Sequence, residues 1–570
     1  MTLNGIITIA IFIIILILIA KPFGIYIKKV LCNEKTFLDK ILSPIEKAIY
    51  KICGIDPEKE QSWQEYLISL LLFSVFGFIF FYIIQIVQAS LPLNPQHLSN
   101  VPSLLSFNTA VSFVTNTNWQ AYNGETTLSY LSQMLGCTVQ NFVSAGTGIA
   151  VAAALIRAFM RKEQNSLGNF WKDLTRSTLW ILLPLSIVIS IIYIWQGVPQ
   201  NLSSYIIAHT IDAGKQIIAQ GPVASQEAIK SLGTNGGGFF GANSMHPYEN
   251  PTGLTNFIQV LSIFSIGTAL VYAFGLMIKN KKQGWTILIS MLILFTFFTY
   301  SMYFFETRGN PAINKADHIT ASSQYSAGRN MEGKETRFGI ADSVLYASVT
   351  TSASDGGVNA QMESLNPLSG GIAMFNMGLG ELVIGGVGTG LYNMIMFILL
   401  TVFLAGLMVG RSPEFLGKKI EVKEIKWAII AIIISPFLVL IFTAIACFTP
   451  SIASDLMTYG AHGFSRVLYA FISVANNNGS AFGSLNVNTT FFNTTTALAM
   501  IGGRFISIAA VLCIAGSLVR KKKVPVTSGT FPTTGGLFII MLIVCILIIG
   551  GLTLFPAIAL GPIAEHFMLF

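Results

Sequence analysis

Apolar residues run through this chain in long blocks, separated by shorter stretches rich in Lys, Arg, Asn, Ser, Thr and Gly. Blocks long enough to cross a bilayer lie near 3–20, 66–88, 128–156, 178–195, 256–278, 285–305, 372–409, 427–447, 496–519 and 535–557. A helix needs about 20 apolar residues to span the hydrocarbon core, so the pattern predicts ten transmembrane helices. The first block is uncharged and ends without the small-residue site of a cleaved signal peptide. It reads as a retained helix.

Composition supports a membrane class. Of 570 residues, 53% are hydrophobic and 11% charged, against about 25% charged in soluble domains. The net charge of +8 is spread over short loops, so it reads as a topology signal; lipid is the expected surroundings and no nucleic acid is expected. Lys and Arg cluster at 21–59, 157–176, 279–282, 411–426 and 520–523, 25 in all. The alternate loops hold eight: Lys215, Lys230, Arg308, Lys315, Arg329, Lys334, Arg337 and Arg466. The positive-inside rule puts the first set in the cytoplasm, with both termini outside. Five of the eight fall in the long loop 306–342, where the rule is weak. Six cysteines without a paired spacing read as buried thiols, and six dispersed histidines, His318 among them, suggest no metal site.

Four outer loops carry a short apolar stretch that closes on Asn, Thr, Ser and Gly: 111–120, 228–238, 344–357 and 467–480. Their triplets are Asn116-Thr117-Asn118, Thr234-Asn235-Gly236, Ser354-Asp355-Gly356 and Asn477-Asn478-Gly479. Positions 118, 236, 356 and 479 are 118, 120 and 123 residues apart, and Val-Leu-Tyr-Ala recurs at 344–347 and 467–470, again 123 apart. The pattern predicts four parallel repeats of span, re-entrant loop and span. They would occupy 61–176, 177–283, 284–426 and 427–529, flanked by a first helix with its cytoplasmic loop in 1–60 and a last helix in 530–570. The fold class is thus an all-α polytopic membrane protein, ten helices with four pore repeats about a central pore.

Backbone that leaves helical geometry within a membrane must be buried or line a water-filled cavity. Four such loops can form a ring of carbonyls that replaces the hydration shell of K+, with pore-helix C-termini favouring a cation. Gly, and less readily Asn, tolerates the left-handed angles this needs. In the last repeat, Asn-x-Ser/Thr triplets begin at 478, 488 and 493; the first is read as filter and the other two as loop composition. Two ionisable residues sit in apolar blocks, Glu381 among six glycines at 378–390 and Arg504 after Gly502-Gly503. Intramembrane charges are functional candidates by default, with a structural ion pair as the other reading. The 38 residues of 372–409 would make a helix about 57 Å long, nearly twice the bilayer core. A break is expected around 385–390, at Gly385, Gly386 and Gly388, as a constriction beneath the filter.

Other function classes find little support. There is no phosphate-binding loop, since the gap from Gly410 to Gly417 is six residues and Lys419 replaces Ser/Thr. There is no Asp-Lys-Thr-Gly phosphorylation sequence, and no cytoplasmic stretch is long enough for a nucleotide-binding domain. No nucleotide is expected to bind this chain. A polytopic membrane enzyme should show convergent acids or histidines, which are missing.

The strings VSFVTNTNWQAY (111–122), LGTNGGGFFGANSMHPYENPT (232–252), GELVIGGVGTGLY (380–392), AGLMVGRSPEFLGKKIEV (405–422) and ANNNGSAFGSLNVNT (475–489) resemble the potassium-translocating A subunit family (KdpA) of the Kdp potassium-transporting P-type ATPase complex. The resemblance implies a bacterial inner-membrane protein that takes K+ from the periplasm. Its implied partners are a P-type ATPase catalytic subunit (KdpB) that hydrolyses ATP, a single-span C subunit (KdpC) and a small F peptide (KdpF). It also implies that the four triplets form the filter, that Gln120 and Arg504 lie near the ion path, and that Glu381 lies in a broken helix below. Ion passage would continue sideways into the pump subunit. Asp355 is a possible departure, and its side chain could face the ion or pack behind the filter. A stand-alone K+ transporter of the Trk/Ktr type is the alternative.

Overall fold

A computed structural model describes residues 1–212, 214–311, 329–525 and 530–569. Lys315, His318 and the repeat boundary at 529 lie outside the described residues. Among the described residues ten helices are long and apolar enough to cross a membrane. Helix α1 (Leu3–Leu31) passes through Pro22 and is followed by the short amphipathic α2 (Asp39–Cys53), which the apolar blocks did not reveal. The first repeat has spans α3 (Trp63–Ser90) and α5 (Ser132–Met160) around the short α4 (Ser103–Val114). The second has α6 (Phe170–Trp195) and α8 (Gly253–Met277) around α7 (Val223–Leu232).

In the third repeat, α9 (Lys281–Glu306) precedes α10 (Gly339–Ala353), and the returning helix is split into α11 (Pro367–Gly378) and α12 (Thr389–Val409). The fourth has α13 (Val422–Phe448), α14 (Pro450–Ala475) and α15 (Thr490–Arg520). Helix α16 (Gly536–Leu569) comes last. Span starts are marked at the polar edge by capping boxes, Ser62 with Glu65, Thr252 with Thr255 and Glu421 with Glu424. These satisfy backbone donors that the helix itself leaves free.

Burial separates an inner from an outer layer. Helices α5 and α8 are buried over most of their length, whereas α3 and α13 expose apolar side chains such as Phe76, Ile79, Phe437 and Ile441. The second span of each of these repeats thus faces the centre. Helix α1 packs along α8, and α16 packs on α9 and α11, so the two flanking helices join repeats 2 and 3 from outside. Two small antiparallel hairpins, Ile206–His209 with Lys215–Ile218 and Glu414–Phe415 with Lys418–Lys419, were not expected from the sequence.

Three expectations need correction. The helix break covers 379–388 rather than 385–390, because Gly388 (φ 90°) caps α12 and Thr389 and Gly390 are already helical. Of the six cysteines only Cys137 and Cys513 are buried, while Cys53 is exposed and Cys32, Cys447 and Cys545 are partly so. Apolar helix faces that look outward also carry Cys comfortably. Asn493 lies within α15 rather than in a loop, and its amide donates to Asn488 Oδ1 at 2.9 Å.

Candidate functional site

Four helices stop short of crossing. Helices α4, α7 and α10 have 12, 10 and 15 residues. Helix α14 is interrupted at Gly460 (φ 55°, ψ −129°), so only its later part leads inward. At 1.5 Å per residue each segment reaches about 15–22 Å, less than the hydrocarbon thickness. Each ends directly at one of the four triplets, so the negative ends of four helix dipoles point at them.

The triplets share one backbone pattern. The first residue is left-handed in each, at Asn116 (φ 66°), Thr234 (48°), Ser354 (48°) and Asn477 (55°). The third is left-handed as well, at Asn118 (52°), Gly236 (90°), Gly356 (84°) and Gly479 (100°). Single non-glycine residues in this region cost about 1–2 kcal/mol. Four at one matched position show that the surrounding structure imposes the turn.

The triplets close into a ring in chain order. Asn116 Nδ2 donates to Thr234 O at 2.8 Å and Asn235 Nδ2 donates to Asn116 Oδ1 at 2.6 Å, joining loops 1 and 2. A Cβ on Gly236 would strike the Asp355 carbonyl oxygen, joining loops 2 and 3. A Cβ on Gly356 would strike Asn478 O, and Asn478 Nδ2 donates to Thr350 O at 2.9 Å. A Cβ on Gly479 would strike Thr117 O, and Asn477 Nδ2 reaches Thr117 Oγ1 at 2.8 Å. Outside the ring, Ser144 and Asn141 of α5 bond to Asn116 and Asn118. Half-buried Gln120 donates to Gly238 O at 3.0 Å and Tyr122 Oη at 3.3 Å, next to loop 2.

The 379–388 break lies against the same ring. Val387 N donates to Thr234 Oγ1 at 3.1 Å. Gly386 has no room for a Cβ beside Ala353 O, and Gly388 has none beside Gly148 O of α5. Glu381 sits inside the break with φ 61°, and its Oε2 accepts from Gly386 N at 3.1 Å. Arg504 lies in a π-helical turn, Gly502–Ile506, and reaches Ser144 O at 3.5 Å. Such turns recur at functional sites. Glu381, Arg504, Asn476, Asn477 and Ser435 line one cavity of about 30 Å³, room for one or two water-sized species.

The Asp355 side chain packs behind loop 3. It is fully buried, Oδ2 accepts from Gly357 N at 2.9 Å, and it faces α7 near Lys230. Lys230 is itself fully buried among Glu227, Glu249, Asn243 and Ser244. Lys334 is also buried, with Nζ 2.8 Å from Glu306 Oε2. Sequence reasoning counted both lysines as loop charges and missed Glu227, Glu249 and Glu306. A Glu and a Lys three apart before a Gly-rich turn was the available signal for the first cluster.

The model of the potassium-transporting ATPase A subunit family matches residues 10–567. The potassium-transporting ATPase potassium-binding subunit of Mesorhizobium japonicum is 54% identical over 566 residues, covering 99% of this chain and 98% of the relative. The protein of the same description from Methylobacterium radiotolerans is 53% identical over the same length and coverage. Among solved structures, the potassium transporter TrkH from Vibrio parahaemolyticus resembles this chain with a TM-score of 0.50, at 14% identity over 88% of this chain and 97% of that one. It shares the fold of pore repeats. With a family match over nearly its whole length and relatives above half identity from end to end, the chain belongs to the potassium-transporting ATPase A subunit family.

Proposed function

We propose that this chain is the potassium-binding and translocating subunit of an ATP-driven K+ uptake complex, with the four triplets as its filter. The carrying observation is the left-handed φ at the first and third position of all four triplets, held in one ring. Such alternation turns successive carbonyls to one side, and backbone carbonyls are the ligands that replace the water of K+. The residues are Asn116–Asn118, Thr234–Gly236, Ser354–Gly356 and Asn477–Gly479. Gln120 would meet the ion before the ring. The Glu381 loop, with Gly385, Gly386 and Gly388, would be the constriction after it, and Arg504 would oppose Glu381 across the cavity they share.

ATP hydrolysis falls to a partner, the P-type ATPase catalytic subunit, with the single-span C subunit and the small F peptide completing the complex. The missing phosphate loop supports this, as does the description of the relatives as a potassium-binding subunit. K+ enters from the periplasmic side of a bacterial inner membrane, and both termini face that side. The basic clusters support this orientation, more so because Lys230 and Lys334 are neutralised inside the protein.

The test is purification from cells with K+-binding and ATPase assays on the same sample. The expected result is K+ binding by this chain and co-purification of a separate ATPase. Passive K+ flux through the chain alone, with no ATPase partner, would favour the stand-alone transporter instead.

A further inference from the structure

Loop 2 contains the sequence Gly233-Thr-Asn-Gly-Gly-Gly238, the most glycine-rich of the four. Gly236, Gly237 and Gly238 have no side chains with which to hold their own peptides, and each glycine adds backbone freedom. Yet this loop must keep one geometry if it is to contribute to ion discrimination. The triplets of loops 1 and 4 are held by neutral partners: Asn118 by Asn141, and Asn477 by Thr117. Loop 2 is held differently.

Behind it, Lys230 Nζ donates to Asn243 Oδ1 at 2.7 Å, Ser244 Oγ at 2.8 Å and Glu249 Oε2 at 3.0 Å. It also lies 2.6 Å from Glu227 Oε2, off the line of a hydrogen bond. An ammonium has three protons, and these three donations use them all. Because its oxygen faces the ammonium, Asn243 must point its NH2 the other way. That group donates to Gly236 O at 2.6 Å. Glu249 holds the next turn, accepting from Phe240 N at 2.8 Å through its other oxygen. Asp355 closes the cluster from loop 3, with Gly357 between it and Lys230.

We propose that Lys230 is a positioning residue for ion selection, acting through Asn243 to fix the Gly236 carbonyl and so the shape of the triple-glycine loop. The proposal rests on the reading of the four triplets as the filter. Lys230 never touches the ion. Its charge polarises the Asn243 amide, and charge-assisted hydrogen bonds are about twice as strong as neutral ones. Buried ionic groups of this kind are seldom needed for stability, because apolar residues of similar size often do as well. A role in fixing one loop geometry accounts for the cluster's place behind the ring.

The test uses the full-length chain in its assembled transporter, in cells with no other K+ uptake. Asn243→Ala is the deciding variant, because it leaves the Lys230 ion pairs with Glu227 and Glu249 in place and cuts the link to Gly236, together with the Asn243 Oδ1 contacts to Lys230 and Ser244 N. It should raise the KM for K+ by about tenfold, the scale of one lost strong hydrogen bond, and lower the preference for K+ over Rb+ and NH4+. Maximal uptake and the amount in the membrane should stay near wild type. Lys230→Met should show the same loss of preference in whatever fraction inserts. Lys334→Met serves as the control for a buried lysine without a contact to the ring, and should lower yield while leaving ion preference unchanged. If Asn243→Ala keeps wild-type KM and ion preference while Gly236→Ala loses them, the positioning role is wrong and the filter reading stands. If Gly236→Ala also keeps them, the filter reading itself fails.

Discussion

Asn477 Nδ2 donates to Thr117 Oγ1 at 2.8 Å, across 360 residues of chain. The bond ties the last triplet to the first and closes the ring. A ring closed by side-chain and backbone contacts at each junction resists the widening that a larger ion would demand. On the proposed filter reading, selectivity depends on the small residues that let neighbouring loops approach.

The glycines at the third position should tolerate no side chain. A Cβ at Gly236, Gly356 or Gly479 meets a backbone oxygen of the next loop, which cannot rotate away as a side chain could. Left-handed geometry alone costs about 1–2 kcal/mol for alanine, or roughly tenfold in affinity. Gly236→Ala and Gly479→Ala should therefore weaken K+ affinity by tenfold or more and relax discrimination against Rb+ and NH4+, with normal insertion. Uptake kinetics with competing ions check this; wild-type values for both variants would refute the assignment.

Glu381 holds its own loop through the bond to Gly386 N. A neutral amide keeps the shape and drops the charge beneath the ring. Glu381→Gln should alter transport rate or its coupling to ATP while K+ binding stays within about twofold, since no filter residue changes. Uptake and equilibrium binding measured on the same variant separate the two. A change in thermal stability alone, with normal transport, would reduce Glu381 to a structural role.

Purified free of other chains, the protein should hydrolyse no ATP and form no acid-stable phosphoenzyme. The sequence offers neither a phosphate loop nor a phosphorylation motif. Phosphoenzyme in such a preparation would overturn the division of labour.

A clamp among Glu363, His462, Arg466 and Glu565 gives a pH dependence. Arg466 Nε lies 2.5 Å from Glu363 Oε1, His462 Nε2 is 3.1 Å from the same oxygen, and Ser484 N donates to Glu363 Oε2 at 2.9 Å. His462 Nδ1 faces Glu565 at 2.8 Å. Burial alone would raise the Glu363 carboxyl, but hydrogen bonds from His462 and Ser484 and the Arg466 charge hold it at about 2. Hydrogen bonds to Glu363 and Glu565 push His462 up to about 9, against desolvation. The Glu363 contribution is complete above its unfolded value of about 4.3 and is lost as pH falls toward 2. The His462 contribution is complete below about 6.5 and is lost as pH rises through 9. Thermal stability across pH should fall on both limbs. Glu363→Gln should flatten the acid limb and weaken the alkaline one, and unchanged limbs would remove the clamp from the account.

The four repeats were legible because membrane helices write themselves as long apolar blocks, and because Asn118, Gly236, Gly356 and Gly479 recur at nearly equal spacing. The excess length of 372–409 pointed to a break, but its limits depended on contacts with Thr234, Ala353 and Gly148 that no local pattern records. The left-handed first position, at Asn116, Thr234, Ser354 and Asn477, was hidden because only tertiary packing forces such residues there. The buried lysines were misread for a related reason. Lys230 and Lys334 look like loop charges until carboxylates from distant segments, Glu249 and Glu306, are brought to them. The second pair offers its own check. Lys334→Met should destabilise the fold by about 3–5 kcal/mol by leaving Glu306 buried and unpaired, and Lys334→Met with Glu306→Gln should recover most of it in thermal unfolding.

The most direct measurement locates the ion. Crystals or frozen samples of the complex prepared in Rb+ or Tl+, whose scattering marks heavy ions, should show density on the axis of the ring, among Asn116–Asn118, Thr234–Gly236, Ser354–Gly356 and Asn477–Gly479. K+ should displace it, and Gly236→Ala should weaken it at ion concentrations near the wild-type Kd. Density at another place in the chain, with the ring empty at saturating ion, would contradict the account.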